Sequence, residues 1–404
     1  MRFFINFDGF ASWRGGRDFV LSLCDTLRLC RDLADIEFVL LVPNLSLKQK
    51  VKRQIRLALA RLKLLPPRYF YDVDYDSINA ELVSELNQIG LTNVVGIDIR
   101  DPLTSLNFRE DDVLLPCFHD LEYPCFNSIY YIADFQHEYF PDFFSGRALT
   151  ERRRKYSQIA SLASFLIVNS SKTKADLFKY TNFRGTCFVM PPSSQKINVE
   201  PDLSSVARFG LVEKKFLICC NQFWEHKDHL TLLKAFELIK IVRPELKLVF
   251  TGELRSSGSS PYIAQLLYEI EHSRFRNDII VTGYIPKKDQ LGLLASSLVS
   301  VQPTLFEGGR GGGFSFETVS LGKPLILSDI EINTEIEHFP GVFFFKAGNP
   351  KSLANVFLDL YDSNTLLSFN SDLNELFHEW ETDFAVFWAS VIRTVMQRKY
   401  EETE

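Results

Sequence analysis

A glycine-rich stretch between two glutamates is the part of the sequence whose residue types point most directly to chemistry. Residues 304–329 read TLFEGGRGGGFSFETVSLGKPLILSD. Glycine lets a backbone approach a ligand closely, and a helix that begins after such a loop offers N–H groups and a partial positive charge. We expect a helix from about Phe314 to Gly322, so its start would suit a phosphate or a diphosphate. The loop contains Gly308, Gly309, Gly311, Gly312 and Gly313.

The two glutamates on either side of the loop predict a second kind of contact. A carboxylate is a poor phosphate ligand but a good acceptor for the hydroxyl groups of a sugar or a ribose. Glu307 and Glu317 therefore indicate a nucleotide sugar rather than a simple phosphate. The diphosphate would be held by N–H groups at Gly313, Phe314 and Ser315. The alternative is a flexible surface loop without a ligand, because glycine-rich loops are weak signals on their own.

Short apolar runs alternate with helical patterns along most of the chain, which is typical of a parallel, doubly wound α/β sheet. A polar stretch near residues 192–207 separates two such series. We predict two Rossmann-like domains that face each other across a cleft, one at 1–200 and one at 207–382, of which the second contains the glycine-rich loop and would be the nucleotide-sugar-binding domain. Residues 383–404 are predicted to form a helix that packs back on the first domain. Ligands of such sheets bind beyond the carboxyl ends of the strands.

Composition sets bounds on the class of protein. A chain of 404 residues is long enough for two or three domains of roughly 100–200 residues each. The net charge of -6 argues against a nucleic-acid binder, because such proteins are usually basic. The seven cysteines include no CxxC pair, so we expect no zinc site, no disulfide framework and a reducing cytoplasm.

The sequence predicts no secretion signal and no membrane span. The first residues, MRFFINFDGF, are too short and too polar for a signal peptide. No uninterrupted apolar run approaches the roughly 20 residues that a membrane helix needs. We therefore expect a cytoplasmic protein that touches a membrane at most from its surface.

One segment is unusually basic. Residues 47–65 carry seven Lys or Arg side chains and no acidic one. A basic amphipathic helix binds anionic membrane surfaces, so we predict peripheral contact with the inner face of the cell membrane. The alternative is a solvated helix of the first domain. The apolar residues that share one helical face are Leu47, Val51, Ile55, Leu59 and Leu62.

Several segments together resemble a known family. Residues 221–229 read NQFWEHKDH, residues 132–144 read IADFQHEYFPDFF, and residues 14–17 read RGGR. With the glycine-rich loop, they resemble the family 4 retaining glycosyltransferases of GT-B architecture, in a bacterial branch with NFWxHKxH-like and DxQH-like segments. The resemblance covers roughly residues 120–340, with a thinner match at residues 1–30, and it implies that the domain at 1–200 is the acceptor-binding domain.

The resemblance implies a role for each matching residue. Lys227 would contact the donor diphosphate, and Glu307 would orient the donor sugar. His137 would contact that sugar from the first domain, whereas the alternative is a structural histidine that caps a turn. Gly15 and Gly16 would form a turn near the diphosphate and the acceptor. GT-B enzymes work without a bound metal, so neither a metal nor a cofactor is expected.

Two positions depart from the family pattern. The family's two glutamates are separated by seven residues, whereas nine lie between Glu307 and Glu317. The family also has an arginine six residues before Lys227, where this chain has Asn221. We suggest that Arg310 supplies the missing phosphate cation, because a departing diphosphate gains charge that needs fixed donors. The alternative is that the Arg310 side chain points into solvent.

These observations predict a retaining hexosyltransferase. It would use GDP-mannose or a UDP-sugar and glycosylate a hydroxyl group of a glycan or a lipid-linked acceptor, in bacterial surface-polysaccharide synthesis. A nucleotide-sugar 2-epimerase on the same architecture is the first alternative. The second is a non-catalytic nucleotide-sugar-binding subunit, which the asparagine at position 221 and the altered glutamate spacing would fit.

Overall fold

Two compact units make up the chain. Unit 1 comprises Met1–Asn169, Thr173–Ser193 and Trp380–Glu404, and unit 2 comprises Ser170–Lys172 and Ser194–Glu379. The computed structural model describes residues 2–7, 14–29, 36–44, 50–52, 54–55, 58, 80, 83–84, 94–98, 109, 111–117, 127–192, 200–254, 261–369 and 374–403.

Unit 1 is built on a sheet whose described strands all pair in parallel. The strands are β1 (Arg2–Asn6), β2 (Glu37–Asn44), β3 (Val94–Asp98), β4 (Val113–Cys117), β5 (Asn127–Ile132), β6 (Phe165–Val168) and β7 (Thr186–Val189). Their order in the sheet is β3-β2-β1-β4-β5-β6-β7. The order reverses between β1 and β4, which is the mark of a doubly wound sheet.

Unit 2 contains a second parallel sheet of the same kind. Its described strands are β8 (Phe216–Cys220), β9 (Lys247–Thr251), β10 (Ile279–Gly283), β11 (Val299–Gln302), β12 (Leu325–Ser328) and β13 (Val342–Phe345). Their order is β10-β9-β8-β11-β12-β13, so it reverses between β8 and β11. Loops that leave neighbouring strands in opposite directions open a crevice at this point.

Helices occupy the connections that the apolar patterns predicted. The described α-helices are α1 (Arg14–Leu29), α2 (Gln136–Tyr139), α3 (Gly146–Leu162), α4 (Ser171–Tyr180), α5 (Ser204–Arg208), α6 (His229–Val242), α7 (Pro261–His272), α8 (Lys287–Ser296), α9 (Gly313–Ser320), α10 (Glu331–Thr334), α11 (Pro350–Asp362), α12 (Thr365–Ser368) and α13 (Asn374–Thr403). Short 3₁₀ turns lie at Pro141–Phe143, Glu225–Lys227 and Arg276–Asp278. The alternation of parallel strands and helices in both sheets confirms the predicted fold class, doubly wound α/β.

The C-terminal helix α13 belongs to the core of unit 1. Its apolar residues recur every three to four positions and form one buried face, because an α-helix has 3.6 residues per turn. Trp388 is 0% exposed, and its ring lies 6.4 Å from that of Phe19 and 6.2 Å from that of Phe384. The same face contributes Phe384, Trp388, Val391, Ile392 and Val395 to the core. A segment from the end of the sequence thus completes a core that begins at its start.

The predicted membrane-contacting segment, residues 47–65, lies largely outside the described residues. Only residues 50–52, 54–55 and 58 are described there, and they are helical. Of the helices that the structure describes, none combines the length and the apolar composition needed to cross a lipid bilayer.

Replacing Trp388 with Ala should strongly destabilise the protein. The substitution leaves a large cavity in a fully buried site, and such cavities cost about 3–5 kcal/mol of unfolding free energy. Urea unfolding followed by far-UV circular dichroism measures the loss. Val386→Ala on the same helix is the matched control, because Val386 is 62% exposed. Its effect should stay within about 0.5 kcal/mol, and equal losses in the two variants would contradict the packing of α13.

Candidate functional site

The glycine-rich loop and the segment after β8 meet at the carboxyl edge of the unit 2 sheet. They follow β11 and β8, the two strands at which the strand order reverses. The main chain joins them, because Leu305 N donates a hydrogen bond to His226 O at 2.7 Å. The hydroxyl of Thr304 donates to the same oxygen at 3.2 Å. Residues that are far apart in the sequence are thereby held side by side.

An ion pair of Lys227 and Glu307 lies at the centre of this contact. Lys227 Nζ donates a hydrogen bond to Glu307 Oε1 at 2.5 Å. The side chains are 16% and 8% exposed, so the attraction between the two charges is screened less by water than in a surface pair. Lys227 ends a 3₁₀ turn, and the Asp228 carboxylate then caps α6 by accepting from Thr231 N at 3.3 Å. The cap fixes Asp228 and thereby the backbone position from which the Lys227 side chain extends.

The glycines next to Glu307 are required by space and by backbone conformation. Gly311 and Gly312 have φ values of +64° and +73°, which L-residues with a Cβ rarely adopt. A Cβ on Gly312 would lie 3.0 Å from the Glu307 carboxyl group, and one on Gly311 would lie 2.9 Å from Ser315. The loop therefore packs its backbone directly against the carboxylate of Glu307, and the predicted close approach to a ligand stays a prediction.

Helix α9 begins immediately after the loop. Its N-cap position, Gly312, has no capping side chain. Ser315 N donates to Gly312 O at 3.2 Å, and the buried Ser315 hydroxyl donates to Gly311 O. Ser315 is thus used by the loop itself. The N–H groups of Gly313 and Phe314 lie in the first turn, where an α-helix supplies no acceptor and carries partial positive charge.

Glu317 lies on α9, about one turn after the start of the helix. It is 8% exposed, and its Oε1 accepts a hydrogen bond from Lys287 Nζ at the start of α8. The other carboxylate oxygen, Oε2, is buried and finds no hydrogen-bond partner in the part of the chain that the structure describes. The same ammonium lies 5.5 Å from the ring centre of Phe314. Sequence reasoning predicted Glu317 but not its lysine partner.

Asn221 occupies the position of the arginine in the family pattern. Its Nδ2 donates to Gln302 Oε1 at 2.6 Å, joining the ends of β8 and β11. Asn221 is 9% exposed and Gln302 is 1% exposed. The backbone is crowded here as well, since a Cβ on Gly252 would lie 2.0 Å from Asn221 O. This position therefore holds a neutral amide pair instead of a cation.

Arg310 is directed to a carboxylate rather than to solvent. Its Nε donates to Glu335 Oε2 at 2.8 Å, and its side chain is 11% exposed. The next residue of the loop is held from the same side, because Gly311 N donates to Asn333 Oδ1 at 3.1 Å. Asn333 Nδ2 in turn donates to Ser328 O at 3.0 Å, at the end of β12. Arg310 and Asn333 thus brace the loop against the segment around α10.

Two histidines flank Lys227 without adding positive charge. Burial is the main cause that lowers the pKa of His226 and that of His229, each to about 3. The nearby positive charge of Lys227 lowers both pKa values further. Both imidazoles are therefore neutral at pH 7. His229 stacks on Phe223 with ring centres 4.6 Å apart, which is a packing role. Within the described residues, no group of three or more His, Cys, Asp or Glu could hold a metal ion.

His137 lies in unit 1 on α2. Its ring is 1% exposed and packs edge-on against Tyr156, with ring centres 4.9 Å apart. Burial, followed by the charge of Arg152, lowers the pKa of His137. Its Nε2 is 3.5 Å from Glu138 Oε1, and its Nδ1 has no partner within the described residues. The predicted contact with a sugar stays a prediction.

Gly15 and Gly16 are positioned differently from the expected turn. Helix α1 already begins at Arg14, so both glycines lie in its first turn. The family resemblance implies a turn at RGGR, whereas the chain is already helical from Arg14 onward. The predicted contact of these glycines with a ligand stays a prediction.

Comparisons with known proteins agree with this geometry. Residues 207–375 match the family described as Glycosyl transferases group 1. No curated protein matches the chain. HepE of Anabaena, solved with UDP-glucose, has a TM-score of 0.61 and 15% identity, over 100% of this chain and 99% of HepE. Sucrose-phosphate synthase from Thermosynechococcus elongatus has a TM-score of 0.59 and 13% identity, over 100% and 99%.

A third structure is similar over part of its length. The pneumococcal O-GlcNAc transferase GtfA, solved with UDP and GlcNAc, has a TM-score of 0.51 and 15% identity, over 72% of this chain and 58% of GtfA. At such low identities, structural likeness shows the fold alone. That fold is GT-B, so the predicted fold class, two doubly wound α/β domains, is confirmed together with the resemblance to GT-B glycosyltransferases.

Replacing Gly312 with Ala should destabilise unit 2 more than a glycine substitution elsewhere. A positive φ costs an L-residue about 1–2 kcal/mol, and the new Cβ must also push Glu307 away from Lys227, at about 1 kcal/mol more. Gly283→Ala is the matched control, because Gly283 has a φ of +68° and nothing within 4 Å of the added Cβ. Urea unfolding of both variants measures the difference, and equal losses would show that Glu307 is not packed against Gly312.

Proposed function

We propose that this chain, whose residues 207–375 match the family described as Glycosyl transferases group 1, is a glycosyltransferase that moves a hexosyl unit from a nucleotide diphosphate sugar to a hydroxyl acceptor. The anomeric configuration of the sugar is retained. The acceptor is a glycan or a lipid-linked saccharide, and the reaction belongs to bacterial surface-polysaccharide synthesis.

The observation that carries this proposal is the Lys227–Glu307 pair beside the start of α9. The Lys227 ammonium has three N–H donors, so it can hold Glu307 and a phosphate oxygen together. The first turn of α9 adds N–H groups and positive potential, and it follows the loop whose Gly312 packs against Glu307. These donors would hold a diphosphate, and Glu307 would accept a hydrogen bond from a hydroxyl group of the attached sugar.

The chemistry asks for positioning and charge stabilisation rather than a protein nucleophile. The acceptor hydroxyl attacks the anomeric carbon on the face from which the diphosphate leaves, which retains the configuration. The departing phosphate oxygen takes the acceptor proton. Lys227 stabilises the charge that develops on the diphosphate, and Glu307 holds the sugar in the reactive orientation.

Glu317 is the residue that we assign to the ribose. Its unpartnered Oε2 is a buried acceptor, and a ribose hydroxyl would supply the missing donor. HepE was solved with UDP-glucose, which supports a UDP-sugar as the first donor to test, with GDP-mannose beside it. Binding and turnover measurements with UDP-sugars and GDP-mannose identify the base and the sugar of the donor.

The proposed diphosphate site has less positive charge than the family pattern provides, because Asn221 replaces the family's arginine. Asn221 hydrogen-bonds to Gln302, and the Arg310 guanidinium hydrogen-bonds to Glu335. These two contacts favour a bracing role for Arg310 over the phosphate role suggested by the sequence. They are also what favours the second candidate function, a nucleotide-sugar-binding subunit without transfer activity.

Contact with the membrane belongs to the same proposal. A lipid-linked acceptor would place the reaction at the cytoplasmic face of the membrane, and residues 47–65 are the basic segment available for it. Co-sedimentation of the protein with vesicles containing anionic lipid, compared with neutral vesicles, tests this contact. Absence of binding to anionic vesicles would end it.

One experiment separates the candidate functions. The purified protein is incubated with UDP-glucose or GDP-mannose, with and without oligosaccharide acceptors, and the products are followed by NMR. Transfer gives a new glycosidic signal with the donor's anomeric configuration, and an epimerase changes the donor without an acceptor. Binding without any turnover supports the subunit, and failure to bind either nucleotide sugar or its diphosphate would refute the proposed function.

Replacing Lys227 with Met should lower kcat by about 10²–10³, because the substitution removes a charge donor to the leaving diphosphate while keeping the length of the side chain. Initial rates of donor consumption measure the effect. Lys234→Met is the matched control, because Lys234 is exposed and lies on α6, the helix that begins two residues after Lys227. Turnover of Lys227→Met near that of the control would show that Lys227 does not act on the diphosphate.

A further inference from the structure

Unit 2 contains a second lysine–carboxylate pair, formed by Lys287 and Glu317. Lys287 is the first residue of α8, and its Nζ donates to Glu317 Oε1. The Lys287 side chain is 19% exposed and the Glu317 side chain is 11% exposed, so both charges are largely removed from water. A shielded carboxylate of this kind needs a fixed cation or hydrogen-bond donors.

Lys287 is delivered by a helix that is anchored to the sheet. Gln290, one turn further along α8, donates from Nε2 to Thr251 Oγ1 at 3.0 Å. Thr251 is the last residue of β9, the strand beside β8. The start of α8 is therefore held at the same carboxyl edge of the sheet as the glycine-rich loop. The backbone of Lys287 is fixed there, and its side chain reaches Glu317.

Only one oxygen of the Glu317 carboxylate is satisfied by this lysine. Oε2 is buried and has no hydrogen-bond partner within the described residues. An ionised carboxylate accepts on both oxygens, and an unpaired buried acceptor is costly. With Oε1 occupied by Lys287, the carboxylate is oriented, and Oε2 is the atom left for a donor from a ligand.

Resting on the proposed function, we infer that Lys287 is a positioning residue for the nucleotide. It holds Glu317 through Oε1 so that Oε2 meets the ribose hydroxyl groups. Lys287 thus acts through Glu317 and sets the preference for a ribose over a deoxyribose. Nothing in the spacing of the glycine-rich motif points to this lysine, because it comes from a different strand–helix connection.

The test compares the affinities of three probes for the full chain. UDP and GDP are titrated calorimetrically, and whichever binds is compared with its 2′,3′-dideoxy form and with inorganic pyrophosphate. The wild type should bind the ribonucleotide about tenfold more tightly than the dideoxy form. In Lys287→Met this preference should fall to within about twofold, whereas the affinity for pyrophosphate should be unchanged.

Three variants separate positioning from a general structural effect. Lys288→Met is the matched control, because Lys288 is the exposed neighbour on the same helix, and it should keep the wild-type preference. Lys287→Arg should keep most of the preference. In a Glu317→Gln background, Lys287→Met should cause no further loss, since the two residues act as one unit. Thermal unfolding verifies each fold, and Lys287→Gln replaces Lys287→Met if the latter does not fold.

The outcomes are distinct. An unchanged ribose preference in folded Lys287→Met or Lys287→Gln overturns the inference, as does an equal loss in Lys288→Met. A loss of pyrophosphate affinity would assign Lys287 to the diphosphate and overturns it as well. A wild type that binds UDP or GDP without preferring the ribose also overturns it but leaves the transferase proposal standing. A wild type that binds neither nucleotide refutes the proposed function itself.

Discussion

The hydrogen-bonded pair of Lys227 and Glu307 joins two loops that lie 80 residues apart in the sequence. The pair is shielded from water, so its strength depends on exact placement of both side chains. That placement comes from three sources: the cap at Asp228, the main-chain bond from Leu305 to His226, and the absence of a side chain at Gly312. The position of the charges in the site therefore depends on the shape of the loop, and neither can change without the other.

The sequence predicted the parts of this site that follow from local patterns. Alternation of apolar runs and helical periodicity gave the two doubly wound sheets, since parallel strands buried on both faces leave a strong pattern. Val113–Cys117, Phe216–Cys220 and Val342–Phe345 are short apolar runs of this kind, and each forms a strand. The density of glycine before α9 indicated a close backbone approach, and the approach found is to Glu307.

The partners of charged groups could not be predicted in the same way. Lys287 and Glu335 carry no spacing signal, because each meets its partner through the tertiary fold and not along the chain. Arg310 was assigned to a phosphate because it stands among the glycines, yet its Nε donates to Glu335. For these charged groups, the missing information is which side chains a long-range contact brings together. Gly15 and Gly16 are a different case, because the family resemblance implied a turn there and α1 includes both.

The connectivity of unit 1 has a consequence for how the protein is made. Helix α13 supplies Trp388 and Val391 to a core whose other members include Phe3 and Phe19. During synthesis from the N-terminus, the early part of that core lacks its last packing surface until the whole intervening sheet has emerged from the ribosome. Unit 2 from Ser194 to Glu379 is continuous, so its chain is complete first. Unit 1 reaches its native packing only after α13 has been synthesised, and a protein cut off before residue 380 would leave the apolar residues that pack against α13, such as Phe19, without that cover.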